Sequence, residues 1–107
     1  MEVQEALDQL VAAIKNSDIY LEYRRRSEQV DRTEDLREKI NEYRARNFEL
    51  QNTSHTEDLL DVMEEFERQY EKFREDPVVE EFLSAELAFC RMMQDIEVRL
   101  AEAVDFE

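Results

Sequence analysis

The chain has 107 residues, of which 29 are acidic and 14 basic, so its formal net charge is −15 and its length suits one small domain. That charge repels phosphate backbones and argues against a direct nucleic-acid-binding function. The sequence contains no glycine, which hairpin turns with positive φ require, and this argues against sheet folds. A content of 42% hydrophobic and 40% charged residues is typical of amphipathic helices. We therefore expect an all-α fold.

The first two predicted helices are separated by a polar break. The apolar stripe of the first helix recurs at intervals of four, three and four residues, at Val3, Leu7, Leu10 and Ile14. The segment 16–18, Asn-Ser-Asp, offers side chains that cap backbone amides, so the first helix is predicted to end there. A second, short helix follows, with an apolar face made of Ile19, Tyr20 and Tyr23.

Two longer helices are predicted in the middle of the chain. Asp31 with Glu34, and Ser54 with Glu57, have capping-box spacing and predict where these helices begin. The seam of the first is Leu36, Ile40, Tyr43, Asn47 and Leu50. The seam of the second is Leu59, Met63, Phe66, Tyr70 and Phe73. Both seams have a 3.5-residue period, which favours helices packed at shallow angles in an antiparallel bundle of four to five helices.

The last predicted helix starts at Asp76-Pro77, because aspartate is a good N-cap and proline is tolerated at the first helical position. It should run to about Val104, and it is the most apolar helix. Such a wide apolar face needs more partners than a narrow seam, so we predict a homodimer or higher oligomer. Its interface is predicted to contain Val79, Phe82, Leu83, Glu86, Phe89, Met93, Ile96 and Leu100, with Leu87 and Cys90 beside them.

Two polar residues fall in otherwise apolar seams, Asn47 and Glu86. A carboxylate drawn into a helix interface must be paired, and Glu86 is predicted to form an ion pair with Arg44 or Arg46. An asparagine in a seam can fix register and partner number. The alternative for both residues is a half-solvated position at the edge of the stripe.

One basic cluster, Arg24, Arg25 and Arg26, interrupts the acidic sequence. It is a candidate surface for an acidic protein partner or for the acidic helix of a second copy. The alternative is a solvated helix face that pairs locally with Glu22 and Glu28, with each pair contributing no more than about 1 kcal/mol. Direct RNA binding ranks below both, since the whole chain repels RNA. The acidity is strongest in residues 57–86, which hold twelve acidic and three basic residues.

Metal and catalytic sites are not predicted. Carboxylate metal sites in helical bundles use a Glu-x-x-His motif, which is missing here, and the single histidine, His55, falls in a predicted loop. Cys90 is the only cysteine, on an apolar helical flank, and is expected to be a small buried hydrophobic residue. The acidic residues around Glu64–Glu71 are expected to form a solvated face.

Two motifs carry a family resemblance. The first is Ile14-x-x-Ser17-x-x-Tyr20-x-x-Tyr23, and the second is Asp76-Pro77-Val78-Val79-x-x-Phe82-Leu83-x-Ala85-Glu86. With the order and lengths of the helices, they resemble the YlbF/YmcA family of small helical regulators from Gram-positive bacteria over nearly the whole chain. The resemblance implies an all-α fold, self-association, and roles in competence, sporulation or biofilm control.

The resemblance further implies a protein complex that modulates an endoribonuclease and messenger RNA maturation, with paralogues as possible partners. Some members have a cysteine-rich tail linked to an iron–sulfur cluster, and this sequence has none, so no cofactor is expected. The first five residues lack the features of a signal peptide, and apolar runs are too short to span a bilayer. A cytoplasmic location without membrane contact is therefore expected.

Two functional hypotheses remain open at this point. In the first, residues 1–107 form a single domain that is a non-enzymatic, helical protein-interaction module and regulates a larger complex. In the second, the chain is a carboxylate-rich protein or enzyme that binds a metal ion or a small cation. Bound metal would favour the second hypothesis, whereas reproducible protein partners would favour the first.

Overall fold

The computed structural model of the protein describes residues 2–52 and 59–105. It contains five helices, namely α1 (Val3–Lys15), α2 (Asp18–Arg32), α3 (Leu36–Asn52), α4 (Leu59–Glu75) and α5 (Pro77–Ala103). Helices account for 91% of the described residues, and no strand occurs among them, which confirms the all-α prediction. The predicted Ser54–Glu57 capping box and His55 lie outside the described residues, as does the side chain of Leu59.

The chain divides into two compact units. Unit 1 combines the residues up to Ser27 with those from Phe82 onward, and unit 2 comprises Glu28–Glu81. Unit 1 therefore contains α1, the first part of α2 and most of α5. Unit 2 contains α3, α4 and the neighbouring ends of α2 and α5. The expectation of a single domain over residues 1–107 stays a prediction.

In unit 1, side-chain hydrogen bonds form the break between α1 and α2. The amide of Asn16 donates from Nδ2 to the carbonyl of Ala12 at 2.8 Å. Ser17 acts as the N-cap of α2, because its Oγ accepts a hydrogen bond from the backbone amide of Tyr20 at 3.2 Å. The same hydroxyl donates to the carbonyl of Ile14 at 2.6 Å. The predicted break is confirmed, and its cause is the local capping chemistry.

Aromatic rings join α2 to α5 within unit 1. The ring centroids of Tyr20 and Phe89 are 5.5 Å apart, and those of Tyr23 and Phe89 are 5.1 Å apart. Tyr23 also stacks on Phe82 at 6.1 Å. Later residues of α2 therefore meet earlier residues of α5, so this pair of segments is antiparallel. Each such ring pair contributes about 0.5–1.5 kcal/mol beyond its burial.

The predicted start of the third helix at Asp31 and Glu34 is wrong. Asp31 belongs to the last turn of α2, which runs to Arg32, and its Oδ1 accepts a hydrogen bond from Nε of Arg37 at 2.9 Å. Val30 is completely buried, so tertiary packing favours continuing α2 past that point. The capping-box spacing was therefore overridden by the burial of an apolar side chain.

The turn between α2 and α3 contains a residue with a left-handed backbone conformation. Asp35 has φ 61°, a region that L-residues other than glycine occupy at a cost. The turn is closed by hydrogen bonds from the amide of Thr33 to the carbonyl of Val30 and from the amide of Leu36 to the carbonyl of Thr33. Aspartate takes this position in a sequence without glycine, since aspartate tolerates it better than most residues.

In unit 2, α3 and α4 pack side by side around Tyr43. Its ring centroid lies 5.5 Å from that of Phe66, 5.2 Å from that of Tyr70 and 5.5 Å from that of Phe73. Tyr43 lies nine residues before the end of α3, and Tyr70 lies eleven residues after the start of α4. Residues that are separated from the α3–α4 connection by similar numbers of residues therefore contact each other. The two helices form an antiparallel hairpin, as the seams predicted.

The buried apolar side chains of unit 2 come from all its helical segments. They are Val30, Leu36, Ile40, Phe66, Tyr70 and Val79. The remaining described members of the two predicted seams are half-buried, except Met63, which is exposed near the connection between α3 and α4. The 3.5-residue pattern thus identified the packed faces of both helices correctly.

The start of α5 has the predicted cap. Oδ1 of Asp76 accepts a hydrogen bond from the amide of Val78 at 3.0 Å, and Pro77 is the first helical residue. The carbonyl of Asp76 accepts a hydrogen bond from the amide of Glu80 at 2.9 Å, which is the first helical hydrogen bond. The helix ends at Ala103, one residue before the predicted end.

Candidate functional site

The predicted interface stripe of α5 divides into a buried and an accessible part. Val79 and Phe82 are completely buried in the single chain, so their surfaces are already covered without a second copy. Leu100, at the other end of the stripe, is 56% exposed. The residues between them are half-buried, namely Leu83, Glu86, Phe89, Met93 and Ile96. The part of the stripe that can meet another molecule therefore lies toward the C-terminal end of α5.

The flank of α5 is more accessible than the sequence predicted. Cys90 is exposed, which contradicts its interpretation as a buried hydrophobic residue. Leu87 and Val98, on the same flank, are about half exposed. The aromatic contacts with α2 are made through Phe82 and Phe89, on a different side of α5 from Cys90. Apolar character thus extends further around α5 than its contacts within unit 1 require.

Helix α1 adds a second accessible apolar face to unit 1. None of its thirteen residues is buried, although it carries a regular apolar stripe. Leu10 and Ile14 are half-buried, whereas Val3, Leu7 and Val11 are exposed. Amphipathic helices gain most of their stability by burying the apolar face. An apolar stripe that the chain itself leaves uncovered is a candidate interaction surface.

The arginine cluster on α2 is partly engaged by Glu22. Arg25 and Arg26 both form ion pairs with Glu22, the latter with 2.6 Å between Nε and Oε1. The hydrogen bond from Arg26 is the main reason why the pKa of Glu22 is lowered, with Arg25 adding to the effect and desolvation opposing it. Arg24 is exposed. Local pairing thus holds for two of the three arginines, and their role toward a partner stays a prediction.

The acidic side chains of α4 line a shallow groove together with basic ones. Its lining residues are Glu64, Glu67, Arg68, Glu71 and Arg74. Within residues 2–52 and 59–105, no group of three or more acidic, histidine or cysteine side chains is arranged to hold a metal ion. Over the same residues, no helix is both long and apolar enough to cross a membrane.

The polar residues of the two seams occupy half-buried positions. Asn47 lies on α3 and Glu86 on α5, and neither is fully exposed. Glu86 interacts with another group of the protein, so its carboxylate is not an isolated buried charge. The predicted pairing of Glu86 with Arg44 or Arg46 stays a prediction, as does the role of Asn47 in fixing register.

Sequence reasoning missed an apolar surface on the α3–α4 hairpin. Phe48 is 67% exposed and Leu60 is 73% exposed, and Met63 is exposed as well. Phe48 lies outside the seam of α3, and Leu60 lies next to, rather than in, the seam of α4. For Phe48 and Leu60, the signal that could have revealed this surface is the presence of large apolar residues at positions that the 3.5-residue pattern does not explain. Met63 belongs to the predicted seam, and its exposure was not predictable from the pattern.

The fold and its surfaces are those of an all-α protein whose amphipathic helices have apolar faces that are only partly covered. A family model described as "Control of competence regulator ComK, YlbF/YmcA" matches residues 3–105. The chain therefore belongs to the YlbF/YmcA family.

Two proteins with the name UPF0342 protein are similar to this chain. The protein from Caldicellulosiruptor bescii is 24% identical over 101 residues, which cover 92% of this chain and 85% of that protein. The protein from Desulfitobacterium hafniense is 29% identical over 108 residues, which cover 97% of this chain and 86% of that protein. No solved structure matches the chain at a significant level.

Proposed function

We propose that this protein is a non-enzymatic helical module that pairs with a second copy of itself and acts as a regulator in a cytoplasmic protein complex. The observation that supports the proposal is the accessible apolar surface of unit 1. It comprises exposed side chains on α1 and on the flank and C-terminal half of α5, namely Val3, Leu7, Val11, Leu87, Val98 and Leu100.

Unit 1 buries little apolar surface of its own. Among the described residues of this unit, only Phe82 and Ala85 are buried apolar residues, compared with six in unit 2. Burying the exposed half of a leucine-sized side chain contributes about 1 kcal/mol, so six such residues on each of two copies contribute about 12 kcal/mol. Association costs roughly 4–15 kcal/mol. The half-buried stripe residues of α5, such as Met93 and Ile96, therefore have to contribute to a stable pair.

The regulatory part of the proposal rests on family membership. The family model is described by control of a competence regulator, and the resemblance implies complexes tied to an endoribonuclease, messenger RNA maturation, sporulation or biofilm control. We assign the binding of paralogues or of RNA-processing proteins to the surfaces that pairing leaves free, with Arg24–Arg26 as one candidate. The net charge of −15 favours contacts with proteins over direct contacts with RNA.

The oligomeric state tests the first part of the proposal. Light scattering after size-exclusion chromatography should give about twice the chain mass of 13.0 kDa at micromolar concentration. The variant L100K should shift the protein toward the monomer, because a lysine charge would be desolvated in the interface. L60K is the matched control, since Leu60 is exposed in unit 2 and its replacement should leave the oligomer intact. A strictly monomeric wild-type protein would refute the pairing.

Affinity purification from the native organism, combined with metal analysis of the purified protein, tests the second part. Partners recovered by the wild-type chain and lost with the triple variant R24E/R25E/R26E would support a role of the arginine cluster. Stoichiometric bound metal, with no reproducible protein partner, would instead support the alternative of a carboxylate-rich cation-binding protein.

A further inference from the structure

The loop end of the α3–α4 hairpin carries an apolar patch that the proposed pairing through unit 1 does not use. We define the hairpin-end patch as Phe48, Leu60 and Met63, all in unit 2 and all exposed. Phe48 lies four residues before the end of α3, and Leu60 is the second residue of α4. Large aromatic and aliphatic side chains with this exposure are expensive to leave in water, and methionine adapts readily to different partners.

Helical geometry puts the patch on one side of the hairpin. Successive residues of a helix are rotated by about 100°, and the facing seams of the two antiparallel helices are fixed by the contact between Tyr43 and Tyr70. Relative to these seams, Phe48 on α3 and Leu60 on α4 lie on the same side of the hairpin. Val62, which is also exposed, turns toward the opposite side of α4 and is not part of the patch.

A row of carboxylates continues the patch along α4. Glu64, Glu67 and Glu71 follow Leu60 at intervals of four, three and four residues, so the four residues share one face of the helix. All three glutamates are exposed and line the same shallow groove as Arg68 and Arg74. Arg68 forms its ion pair with Glu65 instead, and Arg74 donates to the backbone carbonyl of Glu67 rather than to a carboxylate of the row. Their carboxylates form no ion pair with the described part of the chain. The surface therefore combines apolar anchors with an adjacent row of negative charge.

We infer that the hairpin-end patch and the row Glu64, Glu67 and Glu71 together bind a basic amphipathic helix of another protein. The apolar residues of such a helix, repeating at three- and four-residue intervals, would pack on Phe48 and Leu60. Its lysine or arginine residues would lie along the glutamate row, where they complement the charge and speed association.

A second copy of this chain is a poor occupant of the surface on grounds of charge. Helices α1 and α5, whose apolar faces are uncovered, are both net acidic and would be repelled by the glutamate row. Helix α2 exposes Ile19 and Leu21 near the arginine cluster, but it holds four acidic and four basic residues and so offers no net attraction. The docking site rests on the proposed function, since it gives the interaction module a surface for a different protein. It uses unit 2, whereas the proposed pairing uses unit 1.

The probe is a synthetic amphipathic helix of leucine and lysine, about 18 residues long and labelled with a fluorophore. Its binding to the full chain is followed by fluorescence anisotropy at low and at moderate salt. The wild-type chain should bind this peptide, with an affinity that falls as salt rises. A peptide with glutamate in place of every lysine should bind at least tenfold more weakly.

Paired variants separate this surface from general attraction to an acidic protein. F48S/L60S should weaken peptide binding about tenfold or more, whereas V62S, on the opposite side of α4, should leave it within about twofold. E64Q/E67Q/E71Q should weaken binding and flatten its salt dependence. E5Q/E97Q/E102Q changes the net charge equally, at exposed positions of unit 1, and should have a much smaller effect.

Three results would overturn the docking site. They are a failure of the wild-type chain to bind the basic peptide, equal losses in the two glutamine triples, and an equal effect of V62S and F48S/L60S. Light scattering on the same samples keeps the two proposals apart. If F48S/L60S dissociated the oligomer, the patch would be an interface between copies and the docking site would be wrong. If the oligomer persisted without peptide binding, only the docking site would fail.

Discussion

Replacing Phe82 with alanine should destabilise the protein by about 3–5 kcal/mol. Phe82 is completely buried, and its ring stacks on that of Tyr23 with 6.1 Å between centroids. Truncating a buried phenylalanine removes its transfer free energy and leaves a cavity, which together cost this amount. At 0.05–0.15 kcal/mol per residue, a chain of this length has a total stability of about 5–16 kcal/mol. The substitution therefore removes a large fraction of the stability.

Urea unfolding followed by circular dichroism measures this loss. With a slope of about 2 kcal/mol per molar urea, the midpoint of F82A should fall by about 2 M. All measurements need the same protomer concentration, because an associating protein gains stability by mass action. The conservative variant F82L should lose clearly less than F82A, since most of the buried volume is retained.

The matched control is F48A, because Phe48 is the same residue type with 67% exposure. F48A should lower the free energy of unfolding by less than about 1 kcal/mol, because folding of the single chain removes little of the Phe48 side chain from water. If F82A and F48A lowered the midpoint equally, the assignment of Phe82 to the core of the protomer would be wrong. A large loss for F48A alone would indicate that the hairpin-end patch is covered in the native protein.

Three further predictions concern the turns and the ion pair on α2. D35G should stabilise the protein by up to about 1 kcal/mol in urea unfolding, because glycine adopts the φ of 61° without strain, whereas E34G should destabilise it. D76A should lower the free energy of unfolding by about 1 kcal/mol, because the N-cap hydrogen bond of α5 is lost. Unchanged stability in the same urea assay would show that this cap does not stabilise the fold. The lowered pKa of Glu22 means that its ion pairs stabilise the fold above the unfolded-state pKa, and that this contribution is lost as pH falls through the native pKa. NMR titration should accordingly show a higher pKa for Glu22 in R26Q, and an unchanged pKa would exclude the hydrogen bond from Arg26 as its main cause.

The sequence predicted those helix ends that depend on local chemistry. Ser17 and Asp76 cap the helices that follow them, and both caps act through hydrogen bonds to backbone amides two or three residues away. The predicted cap at Asp31 failed, because the end of α2 is decided by the burial of Val30 and by the ion pair with Arg37. Both of these interactions depend on tertiary packing, which a capping-box spacing does not contain.

The candidate surfaces were predicted less completely than the helices. The 3.5-residue pattern identified the seams around Tyr43 and Tyr70, since facing seams must be apolar in any hairpin of this kind. It could not tell that Cys90 is exposed, because helical position alone does not reveal which side of an apolar helix is covered. The pattern also did not identify Phe48 as part of a surface, because its exposure depends on how α3 packs on α4.

The exposure of Cys90 gives the protein a single point of chemical attachment. The sequence contains no other cysteine, so one nitroxide label per chain can be introduced without mutation. In a pair of copies related by two-fold symmetry, two such labels define one distance, which pulsed electron spin resonance can measure. Cys90 lies on the flank of α5 that the proposed pairing surface includes, so light scattering on the labelled protein must first show that it still pairs. The pair should then give a single narrow distance distribution, and the monomer none. The residue that the sequence placed in the interior thus serves as a reporter of assembly.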